Sequence, residues 1–466
     1  MRSVCDFGAV GDGECDDTEA IQHAVAQGLG AVYFPPGTYR ITRSVVVTLA
    51  EDRRLSLHGA GGTAKIIMAG AGPAFRVTGT HTGTASPASF TPGVWADERM
   101  PTFLNLEIEG AHPEADGILI EGTMQSLFEG VLLRELRHGI HLRGRNRNVL
   151  ISHCHVYHNR GVGIYCDHVN LHQFNVVGSH ISYNAQSGIK LLNGEIRNFQ
   201  FTGNDIEYNH VGGAEAPEPS AEIWVEATGE KATIREGTIS GNTIQSVYSP
   251  GGANIRIEGL GPGDPNQAGM IAISGNLIGS QEVNLRLAAC RAVTVTGNVV
   301  YSGHLRNIHA TDCRNLVVTG NSIDHNPGYL PRELTTCVTF TRCHDSSFTG
   351  SVLQEAEAGA HTVETPATMA RKGLLELLDC RRFAVQGCQI LDAAEAGIYL
   401  EKGAQVLLSG CTITGQHETP RMDCAIRWEG PGEGNAILGN LLGPGRNGHT
   451  QIAAEAQVHV ASNVEL

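Results

Sequence analysis

Apolar side chains alternate with polar ones over short stretches of this chain, and from about residue 146 the stretches themselves recur. Each copy is an apolar strand, then Gly-Asn or a substitute, then x-Ile, a turn, and a second strand of the form x-Ile-x-Leu. Examples are "NVVGSHISYNAQSGIKLL", "IAISGNLIGSQEVNLRLAAC", "VTVTGNVVYSGHLRNIHATDC" and "FAVQGCQILDAAEAGIYLEKG". Gly275, Gly297 and Gly320 mark copies spaced 22 and 23 residues apart. That period is too short for a helical hairpin with these glycines, and the internal alternation has the period of two that marks strands, so each copy predicts one coil of strands. Such a coil buries its inward residues only by stacking on its neighbours.

Stacking predicts ladders. Asn204, Asn242, Asn276, Asn298, Asn321 and Asn440 share one column, where side-chain amides can bond from coil to coil. Cys154, Cys388 and Cys411 replace Asn in that column, while Cys290, Cys313, Cys343 and Cys380 end successive coils in another. The repeat therefore places the 12 cysteines as small buried residues ahead of disulfides or metal ligands, and no C-x-x-C pair is present. The run His153-Cys-His-Val-Tyr-His158 looks like a metal site in isolation, but alternation sends Cys154 inward while His155 faces out.

The amino-terminal stretch "CDFGAVGDGECDDTEAIQHAVAQ" differs. Its glycines lack the spacing of a dinucleotide loop, with Asp12 and Glu14 where phosphate would lie, and its acids lack the order of an EF-hand loop. Asp16, Asp17 and Thr18 instead place acceptors at a helix start, and Ala20, Ile21, Ala24 and Val25 form one apolar face. Composition supports short strands and tight turns: 58 glycines, few aromatics, and 17% charged residues. A formal charge of −15 argues against nucleic acid as a partner. No apolar run approaches the ~18 residues of a membrane span, and no signal-like segment opens the chain. The expectation is a soluble protein, cytoplasmic or a mature secreted or periplasmic form.

The opening "DFGAVGDG…DDTEAIQHAV" followed by "AVYFPPGTYRIT" resembles the amino-terminal segment of the pectate-lyase-like superfamily, which includes rhamnogalacturonases, polygalacturonases, epimerase-like proteins and phage tailspikes. The motif covers residues 5–42, and the repeat is similar to that family's coil over most of the rest. The resemblance implies an all-β, right-handed parallel β-helix with a short amino-terminal capping helix. Residues 1–45 would form the cap and first coil, 46–456 the β-helix with loop insertions, and 457–466 its carboxy-terminal end, one domain overall. It implies no reaction, because the N-T-D, G-H-G and R-I-K signatures of polygalacturonases and the D-P-H-D of alginate epimerases are missing.

Chemistry is therefore sought in the outward columns, which stack at about 4.8 Å. One reads His155, His180, Asp205, and the next Tyr157, Ser182, Glu207. Gly163, Gly188 and Glu222 precede the second Ile strand, Tyr165, Lys190, Trp224, Arg256 and Arg286 lie within it, and Asp167, Leu192, Glu226 and Glu258 follow. Insertions at 74–102, 210–221 and 259–267 flank these coils and could wall a groove. His155, Tyr165, His180, Trp224, Glu258 and Arg286 are candidate contacts to a polysaccharide or oligosaccharide. For a uronate lyase, Lys190 or Arg256 is the candidate base, the remaining cations pair the substrate carboxylate, and Asp205, Glu226 and Glu258 can hold Ca²⁺. For a glycosidase, Asp205 or Glu207 would face Glu222 or Glu226 as a carboxylate pair. A glycan-binding, tailspike-like protein, commonly a homotrimer, is the third reading.

Overall fold

The computed structural model describes residues 2–27, 30–83, 85–210, 219–261, 267–326, 328, 336–355, 371–416 and 420–466. They fall into two compact units, Met1–Gly212 with Ser220–Thr238 and Gly213–Pro219 with Ile239–Leu466. Each unit is a stack of parallel coils. A typical coil of the first unit contains a short strand His180–Ser182, a central strand Ser187–Leu192 and a long strand Glu195–Thr202. In the second unit the same roles fall to Leu277–Gly279, Val283–Ala288 and Cys290–Thr296. Strands pair with the equivalent strand of the next coil, so every coil has a short-strand, a central and a long-strand face. The last residues continue the pattern, Val458–Ala461 pairing with Asn435–Leu438 and Val464–Glu465 with Leu441–Leu442.

The inward residues are those the alternation assigns. Ile164, Ile189 and Ile223 lie in register and are fully buried, each such burial contributing about 1.5–3 kcal/mol. The turn from long to short strand needs one left-handed residue, supplied by Gly203 at φ 65°, where a side chain would be strained. The next residue, Asn204, sends its carboxamide inward, and Ser179 N donates to its Oδ1 at 3.0 Å. In the second unit Asn276 N and Nδ2 both donate to Asn298 Oδ1 at 3.0 Å, and Asn298 repeats this to Asn321 at 2.9 and 3.0 Å. The predicted amide ladder is thus present, each of these Asn side chains accepting from the buried turn of its neighbour. Cys154, Cys388 and Cys411 replace Asn in it and are buried, and all twelve cysteines are free thiols, with only Cys5 and Cys15 exposed.

The capping helix spans Thr18–Gln27 and buries Ile21, Ala24 and Val25. The acids before it are turn chemistry. Asp17 accepts from Val10 N and Gly11 N at 2.7 and 3.1 Å, and Asp16 from Thr18 N and Thr42 Oγ1 at 3.1 and 2.6 Å.

One outward assignment fails. Glu222 lies level with Gly188 and is fully buried, so it is a core residue and is withdrawn as a catalytic carboxylate. The reason is a second amide ladder at the corner between short and central strands. Asn159 Nδ2 donates to Asn184 Oδ1, and Asn184 Nδ2 to Asn209 Oδ1, both at 2.7 Å. A Cβ on Gly188 would stand 2.9 Å from Asn209 Nδ2, so the column is glycine wherever the turn amide fills the space. At Glu222 the side chain enters that space itself, and Asn209 N donates to both carboxylate oxygens at 3.0 Å.

Candidate functional site

On the central face of the first unit, His141, Tyr165, Lys190 and Trp224 stack in register over four coils. Two residues further along, Asp167, Leu192 and Glu226 form the adjoining column. His141 Nε2 lies 3.2 Å from Asp167 Oδ2, and His168 Nδ1 lies 2.7 Å from Asp167 Oδ1. Arg143 Nε is 3.7 Å from the same carboxylate. The bond from His141, then that from His168, holds the Asp167 carboxyl well below the usual carboxylate range despite its partial burial. A carboxylate at Nε2 fixes the tautomer that leaves Nδ1 as an acceptor. That atom is buried with no protein partner among the described residues.

Aromatic rings cover the pair. Tyr165 stacks on His141 with centroids 5.1 Å apart, and His138 lies 4.9 Å from Tyr165 and 5.6 Å from His141. Burial pushes His138 down to about 4, so its ring is neutral at pH 7. Val162 N donates to its Nδ1 at 3.1 Å, which leaves the proton on Nε2. Burial also pushes the Tyr165 phenol up to about 12, with the charges of Asp167 and Glu226 adding to the effect. Lys190 Nζ sits 3.0 Å from Glu226 Oε2 and 3.7 Å above the Trp224 ring. Trp224 is only 7% exposed, so it supports the lysine and is not the open sugar contact that the sequence suggests.

The remaining candidates lie elsewhere. His155, His180 and Asp205 share a column of the short-strand face, with the two imidazoles stacked at 5.2 Å and His180 Nδ1 3.5 Å from Asp205 Oδ2. Glu207 is on this face too, its carboxyl raised by partial burial and then by Asp205. The structure does not assemble the proposed acid pair, since Asp205 and Glu207 belong to a different face from Glu226, and Glu222 is in the core. In the second unit Arg256 Nη1 bonds Glu258 Oε1 at 3.0 Å, with Arg286 Nε at 4.0 Å. Arg256 is 3% exposed and, although burial lowers its basicity, a guanidinium held by a carboxylate is a charge partner and not a base. Among the described residues no three His, Cys, Asp or Glu side chains converge as metal ligands. Asp205 faces His180 and Glu226 faces Lys190, so the residues suggested for Ca²⁺ are each engaged by a basic partner.

His138, His141, Arg143 and Asp167 were not among the predicted site residues. Aligning "GIHLRG" at 139–144 with "GIYCDH" at 163–168 and "GIKLLN" at 188–193 puts His141, Tyr165 and Lys190 in one column. That repeat begins one coil before the place where its pattern is first obvious. The 74–102 insertion was expected to wall the same groove. Its Ser86 and Ala85 carbonyls accept from Arg147 at 3.0 and 2.8 Å instead, which attaches it to the long-strand face.

Residues 1–225 match the family "Rhamnogalacturonase A/epimerase, pectate lyase-like", and residues 221–442 the "Right handed beta helix region". A stretch of 86 residues is 41% identical to a mannuronan C5-epimerase of Azotobacter vinelandii, covering 16% of this chain and 10% of that protein. Another of 61 residues is 58% identical to a plasmin and fibronectin-binding protein of Streptococcus pneumoniae, covering 12% of this chain and 8% of the other. Both matches span about a tenth or less of those relatives. Among solved structures, pre-mature gene product 12 of bacteriophage phi29 superposes with a TM-score of 0.50 at 14% identity, over 99% of this chain and 55% of that one. Short parallel strands, coil-to-coil amide ladders and both family matches converge on a right-handed parallel β-helix with a pectate-lyase-like fold.

Proposed function

We propose that the protein is a carbohydrate-active enzyme that removes the proton alpha to a uronate carboxylate, with cleavage by β-elimination as the outcome. The observation that carries this reading is the His141–Asp167 pair, 3.2 Å apart, with Tyr165 stacked on the imidazole. Asp167 orients the ring and stabilises its protonated form, as a carboxylate does for a general-base histidine. His141 Nδ1 takes the proton from C5. The electron pair forms C4=C5 as the C4–O bond breaks, and the departing oxygen takes a proton from the Tyr165 phenol. Transfer from the imidazolium then restores the tyrosine. Lys190 and Arg143 supply positive charge for the substrate carboxylate, which lowers the cost of carbanion character at C5. His141 Nδ1 is covered in the free protein, so substrate must displace a neighbouring ring to reach it.

The likeness to an epimerase supports the proton-abstraction step, which elimination and epimerisation share. A hydrolase reading finds less support, because it needs two carboxylates flanking one bond and the candidates are dispersed. The test is a panel of uronate polysaccharides read for the ultraviolet absorbance of unsaturated ends, for reducing ends, and by NMR for inverted C5. Unsaturated ends lost in Asp167→Asn support the proposal. Reducing ends without absorbance overturn it in favour of hydrolysis, and binding without any product overturns it in favour of a glycan receptor.

A further inference from the structure

The long-strand face of the first unit carries a groove of about 420 Å³. This is within the range of small-ligand sites, and the central-face chemistry does not use it. Its polar side chains are mainly carboxamides: Asn148, Gln173 and Asn198 in one column that Glu236 continues, and Asn175 and Gln200 in the next, with Val149, Leu150 and Phe199 as apolar lining. Leu150, Asn175 and Gln200 are in strict register. Asn148, Gln173, Asn198 and Glu236 all have positive φ, between 56° and 64°. Pairing skips Asn148 and Gln173 at the same level of both strands, with the register unchanged on either side, so this is a column of left-handed bends that re-aim the side chains around them.

The fold alone does not dictate this chemistry. The second unit has the same column of bends, there Met270, Ala292, Asn315, Asp345, Arg382 and Gln405. Its outward column after the bend reads Ala272, Thr294, Val317, Ser347, Ala384 and Leu407. Only two of the bend residues there are carboxamides and the outward column beside them has none, so two adjoining columns of carboxamides are a property of the first unit.

A row of basic residues runs beside the amides. Arg147, His172 and Arg197 are in register, with His172 pushed towards its neutral form by burial and then by Arg147, and Arg235 is close enough to Arg197 to lower its basicity, second to burial. Glu236 is a weak counter-charge, 3.9 Å from Arg197 and largely in solvent. Arg145 Nε and Nη2 and Arg235 Nε are buried without a protein partner among the described residues. In a chain of net charge −15 this is a local positive strip. The row recurs in the second unit as Arg291, Arg314, His344 and Arg381. At the upper end of the groove the 74–102 insertion is tied down by Arg147, whose guanidinium lies 4.1 Å from the Phe90 ring.

We propose that this groove is a second carbohydrate-binding site, for a carboxylate-bearing oligosaccharide lying along the coil axis. One sugar then meets each coil, its hydroxyls bonded by Asn175, Gln200 and their neighbours and its carboxylates paired by Arg197 and Arg235. Coils about 4.8 Å apart repeat at a distance comparable with the rise of a sugar residue in an extended chain. The amides supply both donors and acceptors, as hydroxyl recognition requires. Such a site holds a polymer on the protein between encounters with the central face, raising its local concentration there.

The test is calorimetric titration of the full chain carrying His141→Ala, which disables the proposed catalytic face, with linear tetramers of galacturonate, mannuronate and, as neutral control, glucose. The expected result is uronate binding that weakens at least tenfold in Asn175→Ala/Gln200→Ala and in Arg197→Ala, with little binding of the glucose tetramer. These side chains are at least partly exposed, and an unchanged melting temperature verifies the fold. Unchanged affinity in both groove variants, equal binding of the neutral tetramer, or no binding of either uronate overturns the proposal. None of these outcomes depends on whether the central face turns substrate over.

Discussion

Replacing one rung of the amide ladder tests what holds the coils in register. Asn276 accepts from Asn242 N at 3.0 Å and Asn242 Nδ2 at 2.9 Å, and donates to Ile239 O at 2.9 Å. Asn276→Ala removes the acceptor of a buried backbone N–H, at about 1–3 kcal/mol, and three further buried bonds, to Asn242 Nδ2, Ile239 O and Asn298 Oδ1, at about 0.5–1.5 kcal/mol each. The expected loss is about 2.5–7.5 kcal/mol. Asn276→Ser should cost roughly half as much, because a hydroxyl can still accept from Asn242 N. The fold already uses this substitution, with Asn321 N donating to Ser351 Oγ at 3.2 Å and Cys154 N to Ser179 Oγ at 3.1 Å. Stacked coils need not unfold as one unit, so native-state hydrogen exchange near residues 239–242, beside urea denaturation, is the appropriate measurement. A cost below about 1 kcal/mol for alanine, or equal costs for the two variants, would refute the view that the ladder stabilises by satisfying buried turns.

Other expectations follow from the same geometry. Asp167→Asn should lower the proposed uronate activity by about 10²–10⁴-fold with a near-native melting temperature, and an unaltered rate would remove His141 from the role of base. Burial pushes His81, His138 and His309 down to about 4. The fold therefore favours their neutral forms, and their contribution is complete above the unfolded value near 6.5 and lost as pH falls towards 4. Denaturation at pH 7, 5 and 4 should show this decline, and equal stability at all three values would contradict it. Glu222→Ala should destabilise the first unit by about 3 kcal/mol through the orphaned Asn209 amide, while Glu222→Gln retains both fold and activity. A thiol reagent should titrate two of the twelve cysteines in the native protein, Cys5 and Cys15, and more only on unfolding.

The coil architecture was legible because its signal repeats: inward Ile, left-handed Gly and buried Asn recur at one spacing, so each copy corroborates the others. The site was legible by region and less so by residue. Tyr165, Lys190 and Glu226 were read correctly as neighbours, since strand alternation fixes which side chains leave the core. Glu222 was misread because alternation says nothing of a corner where a turn amide folds over the strand end. His141 and Asp167 were passed over for another reason. Their pairing crosses from one coil to the next, and it shows in the sequence only when the repeat is extended one coil back to 139–144, before its pattern is obvious. The basic row of the long-strand face was likewise hidden, because a single Arg or His per coil reads as an ordinary surface residue until four of them align.

The three corners of a coil are not equivalent in length. Two residues join the central strand Ser187–Leu192 to the long strand Glu195–Thr202, and two more join that strand to Asp205–Glu207. Between the short and central strands the chain runs from 4 residues after His155–Tyr157 to 13 after Asp205–Glu207. The corner between long and short strands therefore keeps its two residues and its amide ladder, while the other two lengthen, the central-to-long corner reaching five residues after Ala221–Ala227. Both of those corners border the central face. Mutation can rebuild its rims loop by loop while the stack beneath is inherited intact. A lineage can thus change what that face meets without having to find a new fold.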